Sequence, residues 1–236
     1  MVARMQHERR ALDFFTNRST RLIQDSMTFK HMSKGSYLYL EGDPADKLHL
    51  VHAGRVRSLK GSDNGRTFTM YVHQQGDLLG DMNIYQNSVH MFSAEVTESS
   101  TIGIISMSEL EHLLRQHREL TFDFMKWMGF NHKLTQAKLR DLTLFGKAGA
   151  LCSLLIRLGN SYGINLGSST FIDRKFSHAE LAEMIATTRE SVSRMLSDLK
   201  NKDVIEYLDG HIMIKRDPYL RAKCKCDTCS MSVCRI

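Results

Sequence analysis

Apolar and polar residues alternate with a period of two through much of the first half of the chain, most clearly in Phe68-Thr-Met70-Tyr-Val72 and Phe92-Ser-Ala94-Glu-Val96. That period marks strands buried on one face. Turn signals divide the runs at Gly35, Glu41-Gly42-Asp43-Pro44, Gly54, Asn64-Gly65, Gly76-Asp77 and Gly80. Short strands at such spacing, from about residue 30 to 106, predict a β-barrel or sandwich.

The period then changes. Ser108 is a candidate N-cap followed by Glu109 and Glu111, and apolar residues recur at Leu110, Leu113, Leu114, Leu120, Phe124, Trp127, Met128, Leu134, Leu139 and Leu142. Gly129 and His132 interrupt this stripe of about 30 residues, which is longer than a small domain usually buries and fits a helix paired with its twin in a homodimer. The alternative is two shorter helices packed within one subunit. Trp127 and the neighbouring methionines read as core or seam residues.

A third pattern begins after Phe145-Gly146-Lys147. An apolar helix over 148–160 ends at Gly159-Asn160 and Tyr162-Gly163, and Ser177 with Glu180 forms a capping box for the next. Thr187-Thr188 makes a short break before a helix from Arg189 to Lys200, whose Val192, Met195, Leu196 and Leu199 share one face. Val204 to Lys215 reads as a hairpin turned at Asp209-Gly210. Two helices, a tight turn and a hairpin describe a winged helix-turn-helix. On the polar face of its second helix, Arg189 and Arg194 can fork onto guanine, Glu190 can accept from cytosine, and Ser193 lies between them.

At 236 residues, 42% apolar and 25% charged, the chain suits a globular protein with two cores. A net charge of +6 is compatible with a polyanion partner. No run approaches the roughly 20 apolar residues of a membrane span, and the charged N-terminus lacks an apolar leader, so the expected location is cytoplasmic and away from membranes. There is no G-x-G-x-x-G, P-loop or nucleophile–base pair to suggest an enzyme.

Four of the five cysteines, Cys224, Cys226, Cys229 and Cys234, fall in the last thirteen residues. Without a secretion signal, such a group points to metal or redox chemistry, and thiolates at short spacing select iron–sulfur clusters, zinc or copper(I). Arg221, Lys223 and Lys225 beside it favour thiolates. By spacing alone Cys224 is the natural fourth ligand, and a structural zinc satisfies the set as well as a cluster does. Cys152, in an apolar run, reads as a buried side chain.

Lys34-Gly35-Ser-Tyr-Leu-Tyr-Leu-Glu41-Gly42-Asp43, Leu48-His-Leu-Val-His-Ala-Gly54-Arg-Val56 and Arg189-Glu-Ser-Val-Ser-Arg194 together resemble the Crp/Fnr transcription regulators over roughly residues 30 to 220. The resemblance implies an α+β chain. Residues 1–107 would hold an N-terminal segment and a cyclic-nucleotide-binding-like β-roll, and 108–145 a dimerisation helix and hinge. Residues 146–223 would be a winged helix-turn-helix, and 224–236 a cysteine-rich tail. It also implies a homodimer on a palindromic operator with TGTGA-type half-sites, read by Arg189, Glu190 and Arg194, and recruitment of RNA polymerase.

Cyclic-nucleotide binders in the family use Gly-Glu and Arg-Ser pairs. Here Gly80-Asp81 replaces the first, Phe92 stands where arginine should, and His90 is a poor substitute, so no cyclic nucleotide is expected.

The C-terminal cysteines, with Phe124-Met-Lys-Trp-Met128, Lys138-Leu-Arg-Asp-Leu142 and Ile156-Arg-Leu-Gly-Asn-Ser-Tyr-Gly163, are similar to the Bacillus-type Fnr branch of the family. That branch implies one [4Fe–4S] cluster per subunit, held by Cys226, Cys229, Cys234 and Asp141, and oxygen-responsive control of anaerobic respiration.

Overall fold

The computed structural model describes residues 10–63, 65–81, 88–226 and 233–236. Asn64 and Cys229 lie outside the described residues. The chain divides into two compact units, one of Arg9–Phe130 and one built chiefly of Asn131–Ile236.

The first unit opens with a short 3-10 turn and helix α1 (Asn17–Asp25), capped by Thr16. Strands β1 (Thr28–Met32), β2 (Tyr37–Tyr39), β3 (Lys47–Gly61), β4 (Thr67–Gln74), β5 (Leu78–Leu79) and β6 (Ser93–Ser106) follow. They form an antiparallel sheet in the order β1-β6-β3-β4, with β2 on β6 and β5 on β3. Bulges along the β3–β6 register, between Val51 and Val56, curl it. Gly54 sits there at φ +92, where an added Cβ would lie 2.2 Å from the Ser100 Oγ, so only glycine fits. The inward positions, Val51, Val56, Ala94, Val96 and Ile102, make one core cluster.

Helix α2 (Met107–Gln116) is capped two residues earlier than expected, by Ser106 in place of Ser108, with the Ser106 hydroxyl accepting from the Glu109 amide at 3.2 Å. Helix α3 (Arg118–Leu144) follows, and His117 interrupts the two. The apolar stripe is therefore not one seam. Leu110, Leu120, Phe124 and Trp127 are buried with Phe15, Ile23, Leu48 and Leu50 in this unit's second core cluster, and Phe124 meets Phe15 and Trp127 edge-on. The alternative of two helices packed within one subunit describes these residues correctly. A different face of α3, carrying Phe122, Met125 and Leu139, is exposed.

In the second unit, α4 (Gly146–Tyr162) leads into β7 (Gly163–Leu166) and β8 (Ser169–Ile172), then α5 (His178–Met184), α6 (Arg189–Asn201), β9 (Ile205–Leu208), β10 (His211–Ile214) and α7 (Asp217–Cys224). The sheet order is β7-β8-β10-β9. The hairpin β7–β8 and helix α7 were not expected, and Gly159-Asn160 does not end α4. Leu151, Leu155, Leu158, Leu181, Val192, Leu196, Ile212, Ile214 and Leu220 form the interior, each worth about 1.5–3 kcal/mol in transfer from water. Among the described residues no helix is long and apolar enough to cross a membrane.

Candidate functional site

Two caps set the paired helices. Ser177 accepts from the Glu180 amide while Glu180 accepts from the Ser177 amide, the expected capping box. The turn is made by Ala186 at φ 50, after which Thr188 caps α6 through the Ser191 amide at 3.2 Å. The Thr187-Thr188 break is thus itself a start signal.

Burial of Val192, Leu196 and Leu199 turns Arg189, Glu190 and Arg194 into solvent, with Ser193 half-buried beside them. Neither arginine is in an ion pair with a described residue. Glu190 is held below the ordinary carboxylate range by backbone amide and Thr188 hydrogen bonds at the helix start, with Arg189 and Arg194 adding to the effect. The wing turns through Asp209 and Gly210, both at positive φ, as a two-residue hairpin requires. The surface can present two guanidinium forks and one acceptor to base edges.

The tail meets the first helix of this unit and the end of α3. Asp141 is 4% exposed. Burial raises its carboxyl pKa, but the charge of Arg157 and hydrogen bonds from Ser153, Arg157 and Arg140 outweigh that and hold it low. Arg157 Nη2 lies 2.7 Å from Asp141 Oδ2, and Arg140 Nη2 is 2.7 Å from Oδ1. The remaining arm of Arg157 reaches the tail: Nη1 donates to the carbonyls of Val233 and Arg235, each at 3.1 Å. Asn160 donates to the Cys234 carbonyl at 2.6 Å, and Ser161 accepts from the Ile236 amide.

Cys226 and Cys234 are buried, and both lie within electrostatic reach of Arg221. Cys224 differs. It is fully buried at the end of α7, its thiol donates to the Leu220 carbonyl, and burial, with Cys226, Cys152 and Asp141 adding to it, pushes its pKa up to about 12. The neighbouring basic residues therefore do not make Cys224 a thiolate. Cys152 is a core thiol, raised to about 11 chiefly by burial.

Among the described residues, no three His, Cys, Asp or Glu side chains converge with metal-ligand spacing. Two buried tail thiols, Cys226 and Cys234, suit a soft cluster, and Asp141 is the hard donor beside the tail. Its carboxylate already accepts five hydrogen bonds from Arg140, Ser153 and Arg157, so it would have to give up part of that network to bind a metal. Arg157, Ser153 and Asn160 were not singled out from the sequence. The signal was there in Arg157, a lone charge inside Leu154-Leu-Ile-Arg157-Leu158.

In the β-roll, Asp81 and His90, two of the residues weighed for a cyclic phosphate, bond each other. His90 Nδ1 and the Met91 amide both bond Asp81, and the His90 ring stacks on Tyr39 at 3.5 Å. Burial, with the charges of His90 and Lys47, lowers the nearby His49 to about 4.

Residues 29–117 match the family described as the cyclic nucleotide-binding domain, and residues 149–223 the Crp-like helix-turn-helix domain. The chain is 37% identical over 217 residues to the anaerobic regulatory protein of Bacillus subtilis, covering 91% of each. Among solved structures, a CooA variant from Carboxydothermus hydrogenoformans aligns with a TM-score of 0.73 at 19% identity, covering 85% of this chain and 88% of that one. FixK2 from Bradyrhizobium japonicum aligns at 0.68 and 18%, covering 86% and 98%. At such identities these structures speak for the fold alone.

Proposed function

The chain belongs to the Crp/Fnr family of DNA-binding transcription regulators, and on that premise we propose that it is an oxygen-responsive homodimer controlling genes of anaerobic respiration, mainly as an activator. It binds palindromic operators with TGTGA-type half-sites, Arg189 and Arg194 taking guanines and Glu190 a cytosine, and acts through RNA polymerase. Two recognition helices must stand about 34 Å apart to enter successive major grooves. The twin subunit would cover the exposed face of α3, where Met125 and Leu139 are two heptads apart.

The sensing element is the tail. Cys226, Cys229, Cys234 and Asp141 would hold one [4Fe–4S] cluster per subunit. When bound, such a cluster supplies an oxygen-labile link among those four ligands. The observation that supports this ligand set is the buried network in which Arg157 takes the Asp141 carboxylate with one arm and the backbone on either side of Cys234 with the other. That network joins the Asp141 carboxylate to the tail backbone around Cys234, and burial together with a hydrogen bond to the Leu220 carbonyl disfavours the thiolate form of Cys224. The conformation of α3's end relative to the helix-turn-helix within this unit is what such a link would control.

An anaerobic absorption spectrum with iron and sulfide assays, before and after air, tests the reading. About four irons per chain and a visible band bleached by air are expected. A colourless protein with one zinc would replace the sensor by a structural metal site and leave a different small-molecule effector to be found.

A further inference from the structure

Arg157 uses four of its N–H donors in two directions. Nε and Nη2 go to Asp141, and the two hydrogens of Nη1 go to separate carbonyls of the tail. It is 7% exposed, so these are bonds made out of water. Asn160, three residues on along α4, adds a bond to the Cys234 carbonyl, and Ser161 accepts the Ile236 amide. The contacts to the tail are to backbone, not thiols. They run from Arg157, Asn160 and Ser161 to the tail backbone, and none of these groups is in the proposed ligand set.

We propose that Arg157 is a positioning residue that docks the tail beside Asp141 in the cluster-free protein, so that Cys234 waits next to the hinge carboxylate before any iron arrives. The inference rests on the tail being the sensing element. Its consequence is that losing a cluster does not by itself release residues 233–236, and that reloading starts from a prepositioned end rather than a free peptide. Guanidinium geometry is essential, because a lysine can keep the charge beside Asp141 but cannot also fork onto two carbonyls.

The test uses the full-length protein stripped of metal under reducing conditions, with thiol alkylation followed by mass spectrometry. Cys152, buried in the core of the same unit, serves as the internal control for folding. Expected is slow alkylation of Cys234 in the wild type, and alkylation about tenfold faster or more in Arg157→Lys, since hydrogen bonds from a charged donor are each worth about 1.5–3 kcal/mol. Cys152 stays unreactive in both. Asn160→Ala, which disturbs no buried charge, shows the same direction with a smaller change, and keeps the test valid if Arg157→Lys folds poorly.

Iron and sulfide uptake is measured separately on the same proteins, and is slower in both variants. Rapid Cys234 alkylation in the wild type, or equal rates in wild type and variants, would overturn the docking role even if the wild type takes up four irons. Protection lost in the variants, with no iron taken up by the wild type, would uphold the docking role and instead sink the cluster reading.

Discussion

Arg157 and Asp141 form an ion pair 2.7 Å apart in which both side chains are almost wholly removed from water. Isolating either charge there is costly, and the pair is tolerated because Ser153, Arg140 and two tail carbonyls use the remaining lone pairs and donors. Asp141→Ala should therefore destabilise the second unit by about 3 kcal/mol or more, by leaving the buried guanidinium without its counter-charge. Urea unfolding followed by circular dichroism measures it, and a change below the error of the method would mean that the network relaxes freely.

The same pair sets an acid limit. The Asp141 carboxyl is held below its ordinary value, so its stabilising contribution is complete above the unfolded value near 3.8 and disappears as pH falls through the lower folded one. Unfolding free energies measured from pH 6 downward should lose this contribution only in the acid range, and Asp141→Asn should remove that part of the slope.

His49 acts in a higher window. Buried and neutral, it has a folded value lowered from 6.5 to about 4, so protonation favours the unfolded chain. Stability that is fully present above pH 6.5 is lost as pH falls from there towards 4, by up to about 3 kcal/mol for such a shift. His49→Gln should flatten the β-roll's stability between those limits, and an unchanged pH slope would show that His49 titrates normally.

The two kinds of cysteine separate by iron content. Cys224→Ala should retain iron and cost about 1–3 kcal/mol of stability through lost packing and hydrogen bonding. Cys226→Ala, Cys229→Ala and Cys234→Ala should each lose iron. An iron-free Cys224→Ala protein that is still folded would make Cys224 the fourth ligand in place of Asp141.

At the operator, Arg194→Ala should lose about 1–3 kcal/mol of discrimination for the guanine it reads, with little change in the salt slope, as base contacts do. Competition binding with matched and substituted sites at several salt concentrations distinguishes this from a phosphate contact, whose loss would lower the slope instead.

Local chemistry made much of this legible. Period-two alternation placed the strands, and Ser177 with Glu180 placed a helix start, because caps and pleats depend on neighbours a few residues away. The recognition face was readable for the same reason: Val192, Leu196 and Leu199 share one side of a single helix. The stripe through Leu120, Phe124 and Trp127 fits a dimer seam and packing within one subunit equally well as a sequence pattern. Periodicity says that a face is buried but not what buries it, and here it is the β-roll's own Phe15, Ile23 and Leu48.

Sequence by itself determined a strand-rich first half followed by helices and a hairpin-winged pair, the chemistry of the recognition helix and the presence of a thiol-rich end, all of which follow from residue type and spacing along the chain. Only the tertiary structure decided which acid and which thiols share an environment. Asp141, Arg157 and the residues around Cys234 are distant in the chain, and their meeting depends on α3, α4 and the tail packing together. The same packing buries Cys224, where a thiolate is unfavourable, within charge reach of Cys226 and Asp141.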